Sequence, residues 1–173
     1  MGGVPANLWF LSLVSVLWDS GARISPVLHA KWDQFDLAGG WFVEKAETRK
    51  GGMSDKLAQL HPETCDLLRK IVEPEREQVF FWPWSENLLY KRWHEILERA
   101  GLRNGRDFCF HCLRKSVATH TKIAGGNAQE ALGHYDAKMT ETVYIDPTQA
   151  MRGHPADVLF RLHDRGKGAD DAA

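Results

Sequence analysis

The feature that most constrains the fold is an apolar segment near the start of the chain, VPANLWFLSLVSVLWDSGA at residues 4–22. A helix of this composition has no broad polar face, so protein or lipid must cover it on every side. The segment is too short and too interrupted to span a bilayer, and no Lys or Arg precedes it, as a secretory signal would require. The sequence therefore predicts a helix from Leu8 to Trp18 that is buried inside a globular domain.

Hydrophobic periodicity and turn residues divide the rest of the chain into further helices and a few short strands. Strands are predicted at 41–46 and 56–60, joined by a bend at Gly51, and a third short strand at 79–82. A short helix is predicted from Ser25, whose hydroxyl caps it. The remaining predicted helices are amphipathic or capped segments at 61–72, 85–101, 110–126, 127–132 and 140–144. This order predicts an α+β, mainly α domain, in which a small antiparallel sheet packs among helices.

Composition indicates a globular domain without a disulfide framework, and charge leaves open whether the chain binds nucleic acid. The 173 residues suit one domain, and 43% apolar with 26% charged residues is the globular range. Three cysteines, an odd and low number, indicate a reducing compartment such as the cytoplasm. The net charge of −1 gives no argument for a nucleic-acid partner. Residues 85–125 nevertheless carry eight Lys or Arg against four Asp or Glu, a local +4 that suits either phosphate contacts or an ion-paired helix face.

Four separated motifs carry the candidate functional side chains, and each motif taken alone has an ordinary structural explanation. The motifs are GARIS, RKGG, FHCLR and LGHYDAKMTETVY, and their candidate residues are Arg23, Lys50, His111, Arg114, His134 and Tyr144. Taken together they suit phosphodiester chemistry, because two arginines can bind the nonbridging oxygens of one phosphate with forked N–H donors. Histidines can donate hydrogen bonds or move a proton, a lysine can protonate the leaving oxygen, and a tyrosine hydroxyl can be the nucleophile. The arginines carry the charge, so this chemistry requires neither a metal nor another cofactor.

At this point the sequence resembles a known family, the tyrosine recombinases or phage integrases, over about residues 8–147. SGARISPVLHAKW resembles the family's first conserved box, the H-x-x-R box stands at 111–114, and LGH and then a tyrosine follow in the family's order. The resemblance implies the fold of the catalytic domain of these recombinases. It also implies that five of the six candidates surround a scissile phosphate of double-stranded DNA. The sixth, Tyr144, would attack that phosphate and form a 3′-phosphotyrosine, which a 5′ hydroxyl from a partner strand then resolves.

Further expectations follow from the resemblance. Residues 1–163 form the catalytic domain, the family's N-terminal core-binding domain is absent from this chain, and residues 164–173 form a disordered tail. The protein would be a site-specific recombinase or integrase of a mobile element, a cytoplasmic, nucleoid-associated enzyme without a membrane segment. It would act as a homo-tetramer on DNA, with accessory DNA-bending proteins as further partners. The alternative is a non-catalytic, DNA-binding remnant of a truncated integrase.

Within the motifs, two assignments are choices between neighbouring residues. Tyr144 is favoured over Tyr135 as the nucleophile, because Tyr135 directly adjoins the histidine of LGH and has little freedom to reach the same phosphate. Three basic residues of the hairpin compete for the general-acid role, namely Arg49, Lys50 and Lys56. Lys50 is favoured because it stands directly before the glycine turn.

The C-x-x-C sequence at 109–112 raises the separate possibility of a zinc site, with Cys65, His111 or His120 as further ligands. A second ligand pair at suitable spacing is absent from the sequence. Phe108 and Phe110 alternate with the first cysteine, which is typical of packing. We therefore expect no metal here, and a thiol-redox role is disfavoured because no strand-then-helix context surrounds the motif.

Overall fold

The computed structural model of the chain describes residues 3–48, 54–102 and 108–133. The described residues form α-helices and a three-stranded antiparallel sheet in the order β1-β2-β3. The helices are α1 (Ala6–Ser20), α2 (Ile24–Leu28), α3 (Pro62–Arg69), α4 (Glu86–Arg99), α5 (Phe110–Ile123) and α6 (Ala128–Leu132). The strands are β1 (Phe35–Asp36), β2 (Trp41–Glu44) and β3 (Lys56–Gln59). The predicted α+β, mainly α class is confirmed, whereas the predicted helix at 140–144 and the tail at 164–173 lie outside the described residues.

Helix α1 occupies the middle of the core, as its apolar sequence predicts. Trp9, Leu13 and Val16 are at most 2% exposed, and the helix packs against α3 and α5. Two of its buried serines bond within the helix: the Ser12 Oγ donates to the carbonyl oxygen of Leu8 at 2.8 Å, and the Ser20 Oγ to that of Val16 at 2.6 Å. Among the described residues, no helix is both long enough and apolar enough to cross a membrane.

The hairpin of β2 and β3 confirms the predicted pair of strands. Phe42 lies opposite Ala58 and Glu44 opposite Lys56, and the side chains of Phe42 and Glu44 are turned into the protein. Strand β1 was not expected from the sequence, because two residues are too few for an alternating pattern to be visible.

The predicted strand at 79–82 is wrong. Gln78 makes a single bridge to Lys31 and the Val79 N–H donates to the carbonyl oxygen of Ala30, after which the chain turns. Phe80 packs into the core instead of joining a ladder, whereas Phe81 is exposed. Phe80 is fully buried, with its ring centroid 5.9 Å from that of Trp9.

The predicted cap at Ser25 is also wrong, because α2 begins one residue earlier. Ile24 is its first residue, and Arg23 is the N-cap without a side-chain hydrogen bond to the helix. Ser25 therefore lies inside the first turn. Pro26 fits in the same turn because the first N–H groups of a helix have no partner within the helix.

Candidate active site

Arg114 lies where the C-terminal ends of two helices meet. It projects from α5 and is 1% exposed. Its Nη1 donates to the carbonyl oxygen of Gly21, at the end of α1, and its Nη2 donates to that of Leu132, the last residue of α6, at 2.9 Å. The C-terminal end of a helix carries partial negative charge, so a guanidinium is well matched to this position.

Lys56 on β3 binds the same two helix ends, one residue earlier in each. Its Nζ donates to the carbonyl oxygen of Ser20 at 2.6 Å and to that of Ala131. The two cations therefore bind consecutive carbonyl groups in both helices. We call this arrangement the carbonyl junction, and define it by the two side chains and by the carbonyl groups of Ser20, Gly21, Ala131 and Leu132.

His111 and Arg23 lie within electrostatic reach of one another and of Arg114. His111 is exposed in the first turn of α5, three residues before Arg114. Its partial burial lowers the pKa of His111 below the usual 6.5, and the positive charges of Lys115, Arg114 and Arg23 lower it further. The imidazole is therefore held in its neutral form over a wider pH range, in which it can accept a proton. Arg23 is half-buried at the N-cap of α2.

The structure thus brings together three of the six predicted site residues. Lys50, His134 and Tyr144 lie outside the described residues, as does the competing Tyr135. His134 directly follows Gly133, the C-cap of α6, so the described chain stops at the carbonyl junction.

The sequence reasoning missed the contribution of Lys56 to this region. It considered that residue for proton donation alone, whereas its Nζ reaches a carbonyl group 75 residues further along the chain. A local sign was available, since both helices end in glycines with positive φ, Gly21 at 59° and Gly133 at 62°. Such ends leave carbonyl groups without partners inside the helix, which can attract a cation.

The C-x-x-C sequence forms a pair of thiols at the start of α5. Cys109 is the N-cap, and its Sγ lies 3.4 Å from that of Cys112, with a hydrogen bond between them. Burial raises the pKa of the Cys112 thiol, and the hydrogen bond with Cys109 raises it further. Within the described ranges, no group of three or more His, Cys, Asp or Glu side chains could hold a metal ion.

A cavity of about 650 Å³ borders the carbonyl junction, with Ser20, Lys56 and Ala131 in its wall. Asp19 also lines it, and accepts a hydrogen bond from the backbone N–H of His61 at 2.8 Å. Burial raises the pKa of Asp19, and hydrogen bonds from the Thr64 side chain and the His61 N–H oppose that rise. The cavity therefore contains a carboxyl group whose charged form is disfavoured by burial.

The fold is that of the catalytic domains of tyrosine recombinases. A family model described as the phage integrase family matches residues 3–151, and the chain belongs to this family.

One relative of the chain is the tyrosine recombinase XerC of Pseudomonas syringae pv. tomato, which is 30% identical over 170 residues. The alignment covers 92% of this chain and 55% of that protein, so the chain spans about half the length of the curated relatives it matches. Two solved structures share the fold. XerA recombinase has a TM-score of 0.70 at 19% identity, covering 85% of this chain and 57% of that one. XerH recombinase bound to its difH substrate has a TM-score of 0.62 at 23% identity, covering 80% and 43%.

Proposed function

We propose that this chain cuts and rejoins DNA strands at specific sites, through a covalent 3′-phosphotyrosine formed by Tyr144. The observation that carries the proposal is the grouping of Arg23, His111 and Arg114 next to the two helix ends. Arg114 is fixed by backbone carbonyl groups, and partial burial and nearby positive charges lower the pKa of His111 beside it. Cations held in advance where negative charge develops lower the barrier of phosphoryl transfer most effectively.

The proposed step conserves atoms and charge. The Tyr144 oxygen bonds to phosphorus while the bond from phosphorus to the 5′ oxygen breaks. A histidine, His111 or His134, takes the tyrosine proton, and Lys50 gives a proton to the departing 5′ oxygen. Arg23 and Arg114 bind the nonbridging oxygens throughout. Attack by a 5′ hydroxyl of another strand reverses the step and completes the exchange.

The proposed substrate is double-stranded DNA. The family of the chain supports this, and the XerH structure is described as a complex with its difH substrate. Residues 1–163 would serve as the catalytic domain, followed by a tail at 164–173. We further propose a homo-tetramer on DNA, assisted by DNA-bending proteins, at the nucleoid in the cytoplasm.

The second candidate is a DNA-binding protein without cleavage. The observation that favours it is charge, since residues 85–125 carry eight Lys or Arg against four Asp or Glu, a local +4. Such a protein would bind DNA through the basic stretch at 85–125 and form no covalent adduct.

Covalent trapping separates the two candidates. The purified chain is mixed with nicked duplex fragments from its source DNA, in which the short strand beyond the nick diffuses away after cleavage. The covalent product is then kept from reversing. We expect a protein–DNA adduct that survives denaturant, and that disappears in Tyr144→Phe.

Tyr135→Phe is the matched control, since it removes the same hydroxyl group nine residues earlier in the chain. It should form the adduct at the normal rate. If Tyr144→Phe still formed the adduct and Tyr135→Phe did not, the nucleophile would be Tyr135. Binding of the fragments without any adduct would favour the second candidate.

A further inference from the structure

The carbonyl junction joins two helix ends that lie far apart in the sequence. A Cβ on Gly21 would stand 3.1 Å from side-chain atoms of Leu132 and Val117, so the end of α1 is packed directly against α6 and α5. Beyond these ends lie two candidate residues, Arg23 two positions after Gly21, and His134 directly after Gly133. The relative position of α1 and α6 therefore sets the points from which the chain leads to Arg23 and to His134.

We propose that Lys56 is a positioning residue that holds α6 against α1, and thereby orients Arg114, rather than the acid that protonates the leaving oxygen. The inference rests on the proposed function for its catalytic consequence. The structural part, that Lys56 holds α6 in place, is independent of any activity.

The bonds of the Lys56 ammonium support a holding role. An ammonium has three N–H donors, and two of them are directed at the carbonyl groups of Ser20 and Ala131. A general acid must bring a donor within hydrogen-bond distance of the reacting oxygen. The short bonds of Lys56 point instead at protein backbone, from a side chain that starts in a paired strand.

Helix α6 needs such an anchor because it is short. Five residues are far too few for a helix to be stable by itself in water, so tertiary contacts must hold it. Only two of its described apolar side chains are buried, those of Ala128 and Leu132. Lys56 and Arg114 bind its last two carbonyl groups, and each of them binds α1 as well.

Strand β3 fixes the backbone end of the Lys56 side chain. Lys56 lies opposite Glu44 in the β2–β3 ladder, and Glu44 is 2% exposed. Opposite charges facing each other across an antiparallel ladder stabilise the pairing. The lysine is thus fixed at its base by the sheet and at its tip by the two helices.

A sulfur substitution in the DNA distinguishes positioning from proton donation. Replacing the bridging 5′ oxygen of the scissile phosphate by sulfur gives a leaving group that departs without being protonated. Loss of a general acid is then rescued, whereas loss of positioning is not. The experiment measures the single-turnover rate of adduct formation on oxygen and sulfur substrates, at a temperature where circular dichroism shows each variant to be folded.

We expect Lys56→Met to slow the adduct by about 10- to 100-fold, and by the same factor on both substrates, because small misplacements near a reacting group cost rates of this size. Lys56→Arg keeps charge and donors and should recover most of the rate. Lys50→Ala should be slow on oxygen and fast on sulfur. Lys45→Met, which removes an exposed lysine paired with Asp55 at 3.0 Å, is the matched control and should match the parent chain.

Hydrogen exchange tests the structural part without DNA. In Lys56→Met the amide groups of α6 should exchange faster, while those of α4 keep their protection. Lys56→Gln, which keeps N–H donors without the charge, serves if the methionine variant does not fold. Unchanged exchange in α6 would overturn the positioning role.

Rescue of Lys56→Met by sulfur, with no rescue of Lys50→Ala, would make Lys56 the acid and also overturn the proposal. If the unsubstituted chain formed no adduct on either substrate, the proposed function would fail, and hydrogen exchange would still decide whether Lys56 positions α6.

Discussion

Arg114 is a buried charge whose described partners are backbone carbonyl groups. A buried guanidinium is costly unless its donors are satisfied, and here the ends of α1 and α6 supply acceptors with favourable partial charge. The residue therefore stabilises the fold and is at the same time a candidate for binding phosphate. Its replacement should affect both properties, and they can be measured separately.

Arg114→Ala should slow adduct formation by about 10²–10³-fold, the usual cost of removing one donor to a transition state. It should also lower the free energy of unfolding by about 1–3 kcal/mol, because buried carbonyl groups lose their donor. Arg92→Ala removes an exposed arginine paired with Glu95 at 2.7 Å, and should change the rate little. Single-turnover trapping and urea unfolding measure the two effects, and a near-normal rate for Arg114→Ala would remove it from the proposed site.

Asp19 gives stability a pH dependence of known sign. Because burial raises its pKa above 3.8, its contribution is fully present at low pH and is lost as pH rises through the folded-state value. Asp19→Asn should therefore be more stable relative to the parent chain at pH 7 than at pH 3. Urea midpoints across this range measure the difference, and a constant difference would show that the folded and unfolded pKa values are equal.

At the scale of elements, the ends of the helices decide how the site is assembled. Gly21 follows the last residue of α1, and Gly133 follows that of α6; both glycines have a left-handed backbone conformation. This conformation lets the chain turn sharply, while the last carbonyl groups stay open to Lys56 and Arg114. Gly21 has a second constraint, because a Cβ there would lie 3.1 Å from side-chain atoms of Leu132 on α6 and Val117 on α5, tighter than an ordinary contact.

Gly21→Ala should lower the free energy of unfolding by more than the roughly 1 kcal/mol expected from positive φ alone. Gly101→Ala is a matched control, since Gly101 has a φ of 71° and a Cβ there would meet nothing within 4 Å. The difference between the two variants in urea unfolding isolates the packing of α1 against α5 and α6. Equal losses would mean that the Val117 and Leu132 side chains give way without cost.

At the scale of the whole molecule, the core that the structure describes is built from residues 9–132. The last ten residues, GKGADDAA preceded by Asp164 and Arg165, offer no large apolar side chain to a core. Deleting 164–173 should therefore change the free energy of unfolding by no more than about 0.5 kcal/mol. Deletion from residue 128 onward removes α6 and is the contrasting variant, expected to be clearly less stable. A large loss from the short deletion would show that the tail packs on the domain.

Local patterns in the sequence were sufficient to predict the long helices and insufficient to predict the short strands. Helices α1, α4 and α5 have clear apolar stripes or caps, such as Ser85, which accepts a hydrogen bond from the Leu88 N–H. Strand β1 has too few residues for a pattern, and the aromatic run after Gln78 looks like a strand because core packing and strand formation favour the same residue types.

The six catalytic assignments stay predictions, and the structure adds the proximity of three of them. Arg23, His111 and Arg114 come from separate motifs and lie near one another, while Lys50, His134 and Tyr144 lie outside the described residues. The glycines after α1 and α6 point to open carbonyl groups, but local periodicity does not show that Lys56 reaches them, because one of its contacts spans 75 residues.

The carbonyl junction also governs when during synthesis a functional site can exist. Gly21 and Arg114 are 93 residues apart, and a ribosome adds about 5–20 residues per second. Synthesis of Arg114 therefore follows that of the end of the apolar helix α1 by roughly 5–20 seconds. During this interval the helix is a target for chaperones, and the nascent chain lacks the buried arginine at the end of that helix. An unfinished chain cannot hold its arginines in place, so premature termination yields fragments in which this site is not assembled.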